Sequence, residues 1–334
     1  MNEDIIITIA IPVYDVEKYI KRCLDSIVSQ VAEFPNLIEV LLVDDGSSDG
    51  SLKICQLYKE KYNFVRIVHQ NNHGLAYVRN VCIDNALGKY ISFIDSDDYV
   101  LPGLYKYAIN LLESYNYDVL CFKHLDVYAE KDVLLSNINV DKAKIKLFTT
   151  DEALNVLFFD NYIDVITCNK IIKKSLFEGI RYPVGKLYED MFTTYKYISK
   201  AKLILSTDLL FYVYCHRLGS IGQSKFNEKS MDLYKSTKET YDFICNNCNY
   251  HEDADVGFVY WVIVVANMMI KANHNDKEYI EYAQNISRKF RRNIVDCRLL
   301  SGVKKIELIL IGVNFHLYKL FYKLYMILLR SKMR

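Results

Sequence analysis

Ile38-Glu39-Val40-Leu41-Leu42-Val43-Asp44-Asp45-Gly46-Ser47-Ser48-Asp49 sets a short apolar run directly before a cluster of carboxylates, hydroxyls and a glycine. A second stretch repeats the arrangement, with Lys89-Tyr90-Ile91-Ser92-Phe93-Ile94 followed by Asp95-Ser96-Asp97-Asp98. Runs of this length and composition read as buried parallel strands. Open α/β sheets bind their ligands beyond the carboxyl ends of such strands. Carboxylates crowded there repel one another unless a cation or polar ligand shares them. The two clusters therefore point to a metal-and-nucleotide site.

Outward from these runs, strand and helix patterns alternate. Ile5–Tyr14 is strand-like, and Val16–Gln30 carries a helical stripe of Val16, Ile20, Cys23, Leu24, Ile27 and Val28. Strand Ile38–Val43 leads to helix Ser47–Lys61, opened by Ser and Asp capping residues. Strand Val65–His69, helix Leu75–Leu87 closed by Gly88, strand Tyr90–Ile94, helix Gly103–Tyr115 and strand Asp118–Tyr128 follow. Such alternation implies βαβ units, and so an α/β fold with a mostly parallel sheet flanked by helices. Beyond residue 130 the spacing predicts helix at Asp151–Phe159, a strand or extended segment at Ile163–Ile172, helix at Tyr188–Lys200 and strand runs in Lys202–Tyr214. From Asn227 onward nearly everything reads as helix. With no Pro- or Gly-rich linker, the chain is expected to be a catalytic domain over 1–225 with a helical extension over 226–334.

A hydrophobic fraction of 51% supports a full core, and a net charge of +1 gives no pull toward nucleic acid. The nine cysteines are odd in number and scattered, and the N-terminus lacks a basic region before its apolar run. Both point to reduced thiols in a cytoplasmic setting. Cys245 and Cys248 form a C-x-x-C without a second pair at zinc-site spacing, and are expected to be ordinary helix-borne thiols.

Read from the residues alone, Asp44 and Asp45 either accept the imide N–H of a base or a ribose hydroxyl, or merely cap the following helix. In Asp95-Ser96-Asp97 two carboxylates at a strand end can converge on one ion, and oxygen-only ligands suit Mg²⁺ or Mn²⁺. The alternative is a solvated acidic turn.

Pro12-Val13-Tyr14, Val43-Asp44-Asp45-Gly46-Ser47-Ser48-Asp49, Gly74-Leu75-Ala76 with Arg79-Asn80, and Phe93-Ile94-Asp95-Ser96-Asp97-Asp98 stand in the order and approximate spacing of one family. Over roughly residues 5 to 225 the chain resembles the bacterial family 2 glycosyltransferases of capsule and exopolysaccharide synthesis. The resemblance implies the GT-A fold, a Rossmann-like sheet. It further implies that Pro12, Val13 and Tyr14 line the base pocket and that Asp44 or Asp45 binds uracil or ribose. Gly74 would permit close backbone approach, Arg79 would sit near the nucleotide, Asp95 with Ser96 would touch ribose or sugar, and Asp97 would hold the metal that bridges the diphosphate. Cys168-Asn169-Lys170 and Leu187-Tyr188-Glu189-Asp190 are similar to the family's N-K and E-D-x-x-F segments. Asp190 would then be the base, its proton affinity raised by Glu189. Tyr212-Val213-Tyr214-Cys215-His216-Arg217 is similar to a segment in which His216 and Arg217 would contact the diphosphate or metal, against the simpler reading of a basic loop after a strand.

The resemblance implies a single in-line displacement from a UDP-linked sugar to a saccharide or lipid-linked hydroxyl, with inversion at the anomeric carbon. Rival readings are a nucleotidyltransferase, which would normally carry a Gly-rich basic loop where Pro12-Val13-Tyr14-Asp15-Val16-Glu17 stands, and a non-catalytic scaffold. Lys304–Arg330 reads as one helix with a basic edge of Lys319, Lys323 and Arg330 and an otherwise apolar and aromatic surface. It either lies at the inner face of the cell membrane, the preferred expectation, or packs against protein.

Overall fold

The computed structural model describes residues 5–128, 140–158, 162–217, 226–249, 251–295 and 299–332. Its first half follows the alternation: β1 (Ile7–Val13), α1 (Ile20–Val31), β2 (Ile38–Asp44), α2 (Ser51–Lys61), β3 (Val65–His69), α3 (Leu75–Asn85), β4 (Tyr90–Phe93), β5 (Tyr99–Val100), α4 (Leu104–Tyr115) and β6 (Val119–Val127). Next come β7 (Ile145–Phe148), α5 (Thr150–Val156), β8 (Lys170–Lys173), α6 (Glu189–Ile198) and β9 (Ile204–Cys215). Among the described residues five helices follow: α7 (Asp232–Asn247), α8 (Glu252–Ala272), α9 (Lys277–Val295), α10 (Gly302–Val313) and α11 (Phe315–Lys332).

The nine strands form one sheet in the order β3-β2-β1-β4-β8-β6-β9-β5, with β7 also on β9. β3, β2, β1 and β4 pair in parallel. β8 runs antiparallel to both β4 and β6, so β6 points the same way as β4, and β9 lies parallel to β6. The sheet is thus mostly parallel, as expected. Every residue of β1 and β2 is buried, the mark of strands covered on both faces. Even Glu39 is buried, bonded to Thr8 Oγ1 at 2.6 Å, to Arg66 at 2.6 Å and to the Leu87 N–H at 2.6 Å.

The chain runs outward from β1 through β2 to β3, then crosses back to place β4 on the other flank of β1. That reversal is the switch point at which open α/β sheets leave a crevice beyond the strand ends. Pro12-Val13-Tyr14 and Asp95-Ser96-Asp97-Asp98 both emerge there.

Several elements depart from expectation for local reasons. α2 begins at Ser51 rather than Ser47 because the preceding residues are spent on stitching two loops together. Ser48 N and Gly50 N donate to Asp15 and Glu17, while Ser47 and Ser51 hydroxyls accept from Asp15 N and Val16 N. α3 ends at Asn85, and Gly88 serves a different purpose: a Cβ there would meet Thr8 N at 2.5 Å. The strand expected over 163–172 shrinks to Lys170–Lys173, since residues 164–170 turn on a buried Asp164–Lys170 ion pair of 2.7 Å. The sequence pattern missed β5 and β7, which are short. The single helix expected over Lys304–Arg330 is two. Asn314 adopts extended backbone between them, and its side-chain oxygen accepts from His316 N and Leu317 N, capping α11.

The chain divides into two compact units, 1–154 with 159–223, and 155–158 with 224–334. In the second unit α8 forms the apolar centre, with Phe258, Val259, Ile263, Ala266 and Met269 fully buried.

Candidate active site

At the switch point the backbone register sets Val13 beside Asp44, so the two loops that follow lie side by side. Pro12 and Val13 are buried within β1, whereas Tyr14 is half exposed. The paired acids divide their work. Asp45 has both oxygens held, accepting from Gln70 Nε2 at 2.7 Å, His73 N at 3.0 Å and Gly74 N at 2.8 Å. It therefore shapes the loop that leads into α3. Asp44 accepts from Ser47 N and meets His69 Nδ1 at 2.7 Å through one oxygen, and its other oxygen is buried with no hydrogen-bond partner among the described residues. Gly74 enters α3 at φ +88, a backbone region that side chains rarely adopt, and an added Cβ would face open space.

One turn into α3, Arg79 is almost fully buried, at 2% exposure. Its guanidinium reaches Glu189 Oε1 at 2.6 Å, Asp95 Oδ1 at 3.2 Å and, in close contact, Asp190 Oδ1. It also lies over the Tyr182 ring at 5.5 Å. Burial pushes an arginine toward neutrality, but here Asp190, Asp95 and Glu189 outweigh it and hold the charge firmly. The three carboxylates are 27%, 13% and 21% exposed for Asp95, Glu189 and Asp190, so a buried cation carries a partly open acidic surface.

Each partner is fixed from a different direction. Glu189 and Asp190 open α6, where the helix dipole favours anions, after Tyr188 turns through a left-handed φ of 58. Asp190's second oxygen accepts from Thr167 N at 3.0 Å. Thr167 belongs to the turn braced by Lys170, which donates to Asp164 Oδ1, Ile166 O and Asn169 Oδ1. Asn80 and Tyr182 exchange two hydrogen bonds of 2.8 and 2.9 Å, tying the chain before α6 to α3.

The acidic turn has its own supports. Asp98 is buried and accepts from Tyr212 Oη at 2.5 Å and Cys215 N at 2.7 Å, pinning β9 to the turn. Asp97 stays 19% exposed, and Arg217 Nε donates to it at 2.5 Å. Arg22 donates to the Asp97 carbonyl at 3.0 Å and lies over Tyr99 at 4.8 Å. Ser96 is buried. His216 goes elsewhere: its Nε2 meets Asp126 at 2.7 Å and its ring stacks on Tyr128 at 4.1 Å. Leu218–Ile221 lie outside the described residues.

The family profile of glycosyl transferase family 2 matches residues 8–181, more than half of the chain. The chain belongs to that family. It is similar to the glycosyltransferase GlyG of Streptococcus pneumoniae serotype 4, with 30% identity over 230 residues, 66% of this chain and 74% of GlyG. It is also similar to GlyA of the same organism, 29% identical over 226 residues, 65% of this chain but only 31% of GlyA, so the chain spans about a third of that protein. In fold it resembles the solved structure of S. aureus TarS residues 1–349 in complex with UDP-GlcNAc, with a TM-score of 0.67, 21% identity, and 96% of this chain and 91% of that one covered. The sheet and its flanking helices are thus those of a GT-A glycosyltransferase, and the helical C-terminal region is part of the likeness.

Compared with the sequence-based expectations, the transferase brings Arg79, Asp95, Glu189 and Asp190 into one cluster and Arg217 to Asp97. The guanidinium of Arg79, expected beside a nucleotide, pairs with Asp95, Glu189 and Asp190. Glu189 is pushed up to about 7 by burial, with Arg79 opposing and Asp190 adding to the rise. Asp95 is also raised, by burial first, with Arg79 pulling the other way and Asp97 adding to the rise. The pattern missed Asp98 as the buried pin and Arg22 as a brace. Their only signal was a fourth residue in D-S-D-D and an arginine on the polar side of the α1 stripe.

Two consequences can be measured in this glycosyltransferase. Replacing Arg79 by Leu strands three carboxylates and is expected to cost about 3–5 kcal/mol in urea unfolding; a loss under about 1 kcal/mol would show the cluster to be self-sufficient. Glu189 titrates in the folded state at about 7, against 4.5 for a free side chain. Its contribution to stability is therefore full below pH 4.5 and is lost as pH rises toward about 7. Glu189→Gln lacks that loss, so its stability relative to wild type should improve across this window, and a pH-independent difference would refute the assignment.

Proposed function

We propose that this glycosyltransferase moves a sugar from a nucleotide diphosphate sugar, UDP-linked, to a hydroxyl of a saccharide or lipid-linked saccharide, inverting the anomeric centre. The supporting observation is the buried guanidinium that joins Asp95, at the end of β4, to Asp190, at the start of α6. The donor sits beyond the strand ends, with its base against the loops after β1 and β2. Asp44 or Asp45 is the base-reading carboxylate: both are buried, Asp45 with its oxygens held by Gln70, His73 and Gly74, and Asp44 with one oxygen unpartnered among the described residues. Residues 1–225 are the catalytic domain in this reading, and 226–334 a helical region.

The acidic turn suits a hard divalent cation. Asp97 presents a part-exposed carboxylate, Asp95 lies two residues away, and among the described residues no third protein ligand converges on them, which leaves coordination positions for phosphate oxygens. Asp97 would hold Mg²⁺ or Mn²⁺, and the ion when bound supplies positive charge to the departing diphosphate. Arg217, paired with Asp97 here, is close enough to add a second positive charge on the same side.

Asp190 takes the proton of the acceptor hydroxyl. The hydroxyl oxygen forms its bond to the anomeric carbon from the face opposite the diphosphate as the bond to the diphosphate oxygen breaks. Arg79 orients Asp190 and Asp95, and so acts through them as a positioning residue. The Thr167 N–H holds the base's second oxygen, so its rotation is restricted from both sides. Asp190→Asn should lower transfer by about 10²–10⁴-fold while isothermal titration shows donor affinity within a few-fold of wild type. Transfer near the wild-type rate would sink the assignment.

The acceptor side of the proposal draws on the second unit. Among the described residues one helix, Glu252–Ala272, is long and apolar enough to cross a membrane, but 61% of its apolar window is buried within the protein. The terminal helices are different. α11 packs Phe315, Tyr318 and Tyr322 inward and leaves Leu317, Leu320, Leu324, Ile327 and Leu328 exposed. These five fall on one helical arc, with His316, Lys319 and Lys323 along its edge and no acid anywhere in the helix. A second copy would set lysine against lysine across such a seam. An anionic lipid surface complements both the apolar arc and its basic edge. In this reading the protein works at the cytoplasmic face of the membrane. Flotation with vesicles containing phosphatidylglycerol should recover wild type and lose most of a Leu320→Glu, Leu324→Glu variant. Equal recovery of both proteins, or equal recovery on vesicles of phosphatidylcholine alone, would argue against lipid as the occupant.

A further inference from the structure

The second unit holds a cluster that sugar transfer does not use. Cys245 lies in the last turn of α7, His251 in the short connection that follows, and Asp255 in the first turn of α8. One ligand atom from each, the Cys245 sulfur, a His251 ring nitrogen and an Asp255 carboxylate oxygen, lies within 4.8 Å of the other two. We propose that Cys245, His251 and Asp255 bind a zinc-class transition metal ion that ties the end of α7 to the start of α8.

Three features of the chain carry the assignment. The first is spacing. His251 and Asp255 are four residues apart at the head of a helix, so their side chains share one face, and Cys245 at the end of α7 lies within reach of both. The second is donor chemistry. One sulfur, one imidazole nitrogen and one carboxylate oxygen form a mixed set suited to Zn²⁺ and its Co²⁺ substitute, and poorly suited to the hard Mg²⁺ or Mn²⁺ fitted by the oxygen-rich turn at Asp97. In a tetrahedral zinc site, ligand atoms stand roughly 3.4–3.8 Å apart. Contraction from 4.8 Å therefore asks about 1 Å of side-chain movement, within the reach of three half-buried groups. Water completes the fourth position.

The third feature is support from behind. Tyr241 Oη donates to Asp255 Oδ1 at 2.6 Å, and the Tyr241 ring stacks on Phe258 at 4.0 Å with the planes 5° apart. The carboxylate is thus oriented by a residue that is itself locked, as outer partners of metal ligands are. To bind a cation, the Cys245 thiol gives up its proton. Binding releases that proton to solvent and forms the sulfur–metal bond, as coordination does for thiols generally. Cys248, three residues on, is buried and stands outside the converging set, so the C-x-x-C pair does not act as a unit.

The competing account is a plain hydrogen-bond network. His251 Nδ1 and Tyr241 Oη both approach Asp255 Oδ1, at 3.1 and 2.6 Å, and Cys245, itself hydrogen-bonded with Tyr241, would then be a further member of that network. Thiolate spectroscopy separates the two. The full-length protein, reduced and stripped with chelator, is titrated with Co²⁺. The proposal expects a sulfur-to-cobalt charge-transfer band with tetrahedral ligand-field bands, saturating at one equivalent. The band should vanish in Cys245→Ser and weaken at least tenfold in apparent affinity in His251→Gln, whose side chain is 38% exposed and whose replacement leaves packing intact. It should persist in Cys248→Ser. Zn²⁺ should bleach the band and raise the melting temperature of wild type more than that of His251→Gln, while Mn²⁺ should produce no thiolate band. Absence of the band, its survival in Cys245→Ser, or its loss in Cys248→Ser with Cys245 intact would each overturn the site.

Discussion

A positive charge inside the protein, touching three carboxyl groups that are not fully inside it, organises the first unit. Arg79 could not remain buried and ionised alone, since removing a guanidinium from water costs several kcal/mol. Asp95, Glu189 and Asp190 could not crowd together without it, since three carboxylates at such range would protonate or separate. The two costs cancel only when β4, α3 and α6 are held in one arrangement, so the cluster is both a packing constraint and the source of the site's charge pattern. Arginine suits the position better than lysine would, because a planar fork can meet separate acceptors in fixed directions.

Much of the surrounding structure is devoted to holding the ends of that cluster. Asp98 ties the acidic turn to β9, Asp45 ties the loop before α3 to the end of β2, and the Asp164–Lys170 pair stiffens the turn that supplies the Thr167 N–H. All three are buried acids whose oxygens are satisfied by backbone N–H groups, by side-chain hydroxyl or amide donors, or by a buried cation. Asp97 and Asp190 are acids of the other kind, partly open to solvent although Arg217 holds the first and Arg79 and the Thr167 N–H hold the second. The division follows from geometry. A carboxylate enclosed by donors defines a loop, and one that keeps an open flank is able to meet a substrate or an ion.

The site was legible as ordered motifs, and the family resemblance assembled them before any coordinates. What the motifs could not show is which acid in each cluster is enclosed. Asp44 and Asp45 are neighbours in sequence and look interchangeable, yet one has its oxygens filled by Gln70, His73 and Gly74 and the other does not. His216 and Arg217 look like a basic pair, yet alternation at the end of β9 sends one to Asp126 and the other to Asp97. Donors from loops far along the chain decide these outcomes, and periodicity carries no record of them.

Local pattern determined the alternation of buried strands and amphipathic helices, the carboxyl-end position of the acidic clusters and the helical character of the C-terminal region, because burial periodicity and turn chemistry are properties of short segments. Tertiary structure alone decided that Arg79 faces acids, that β8 enters the sheet antiparallel between β4 and β6, that the last apolar stretch breaks at Asn314, and that Cys245, His251 and Asp255 meet. Those features depend on which distant groups compensate a buried charge or an unpaired backbone amide, and that compensation exists only once the chain has folded.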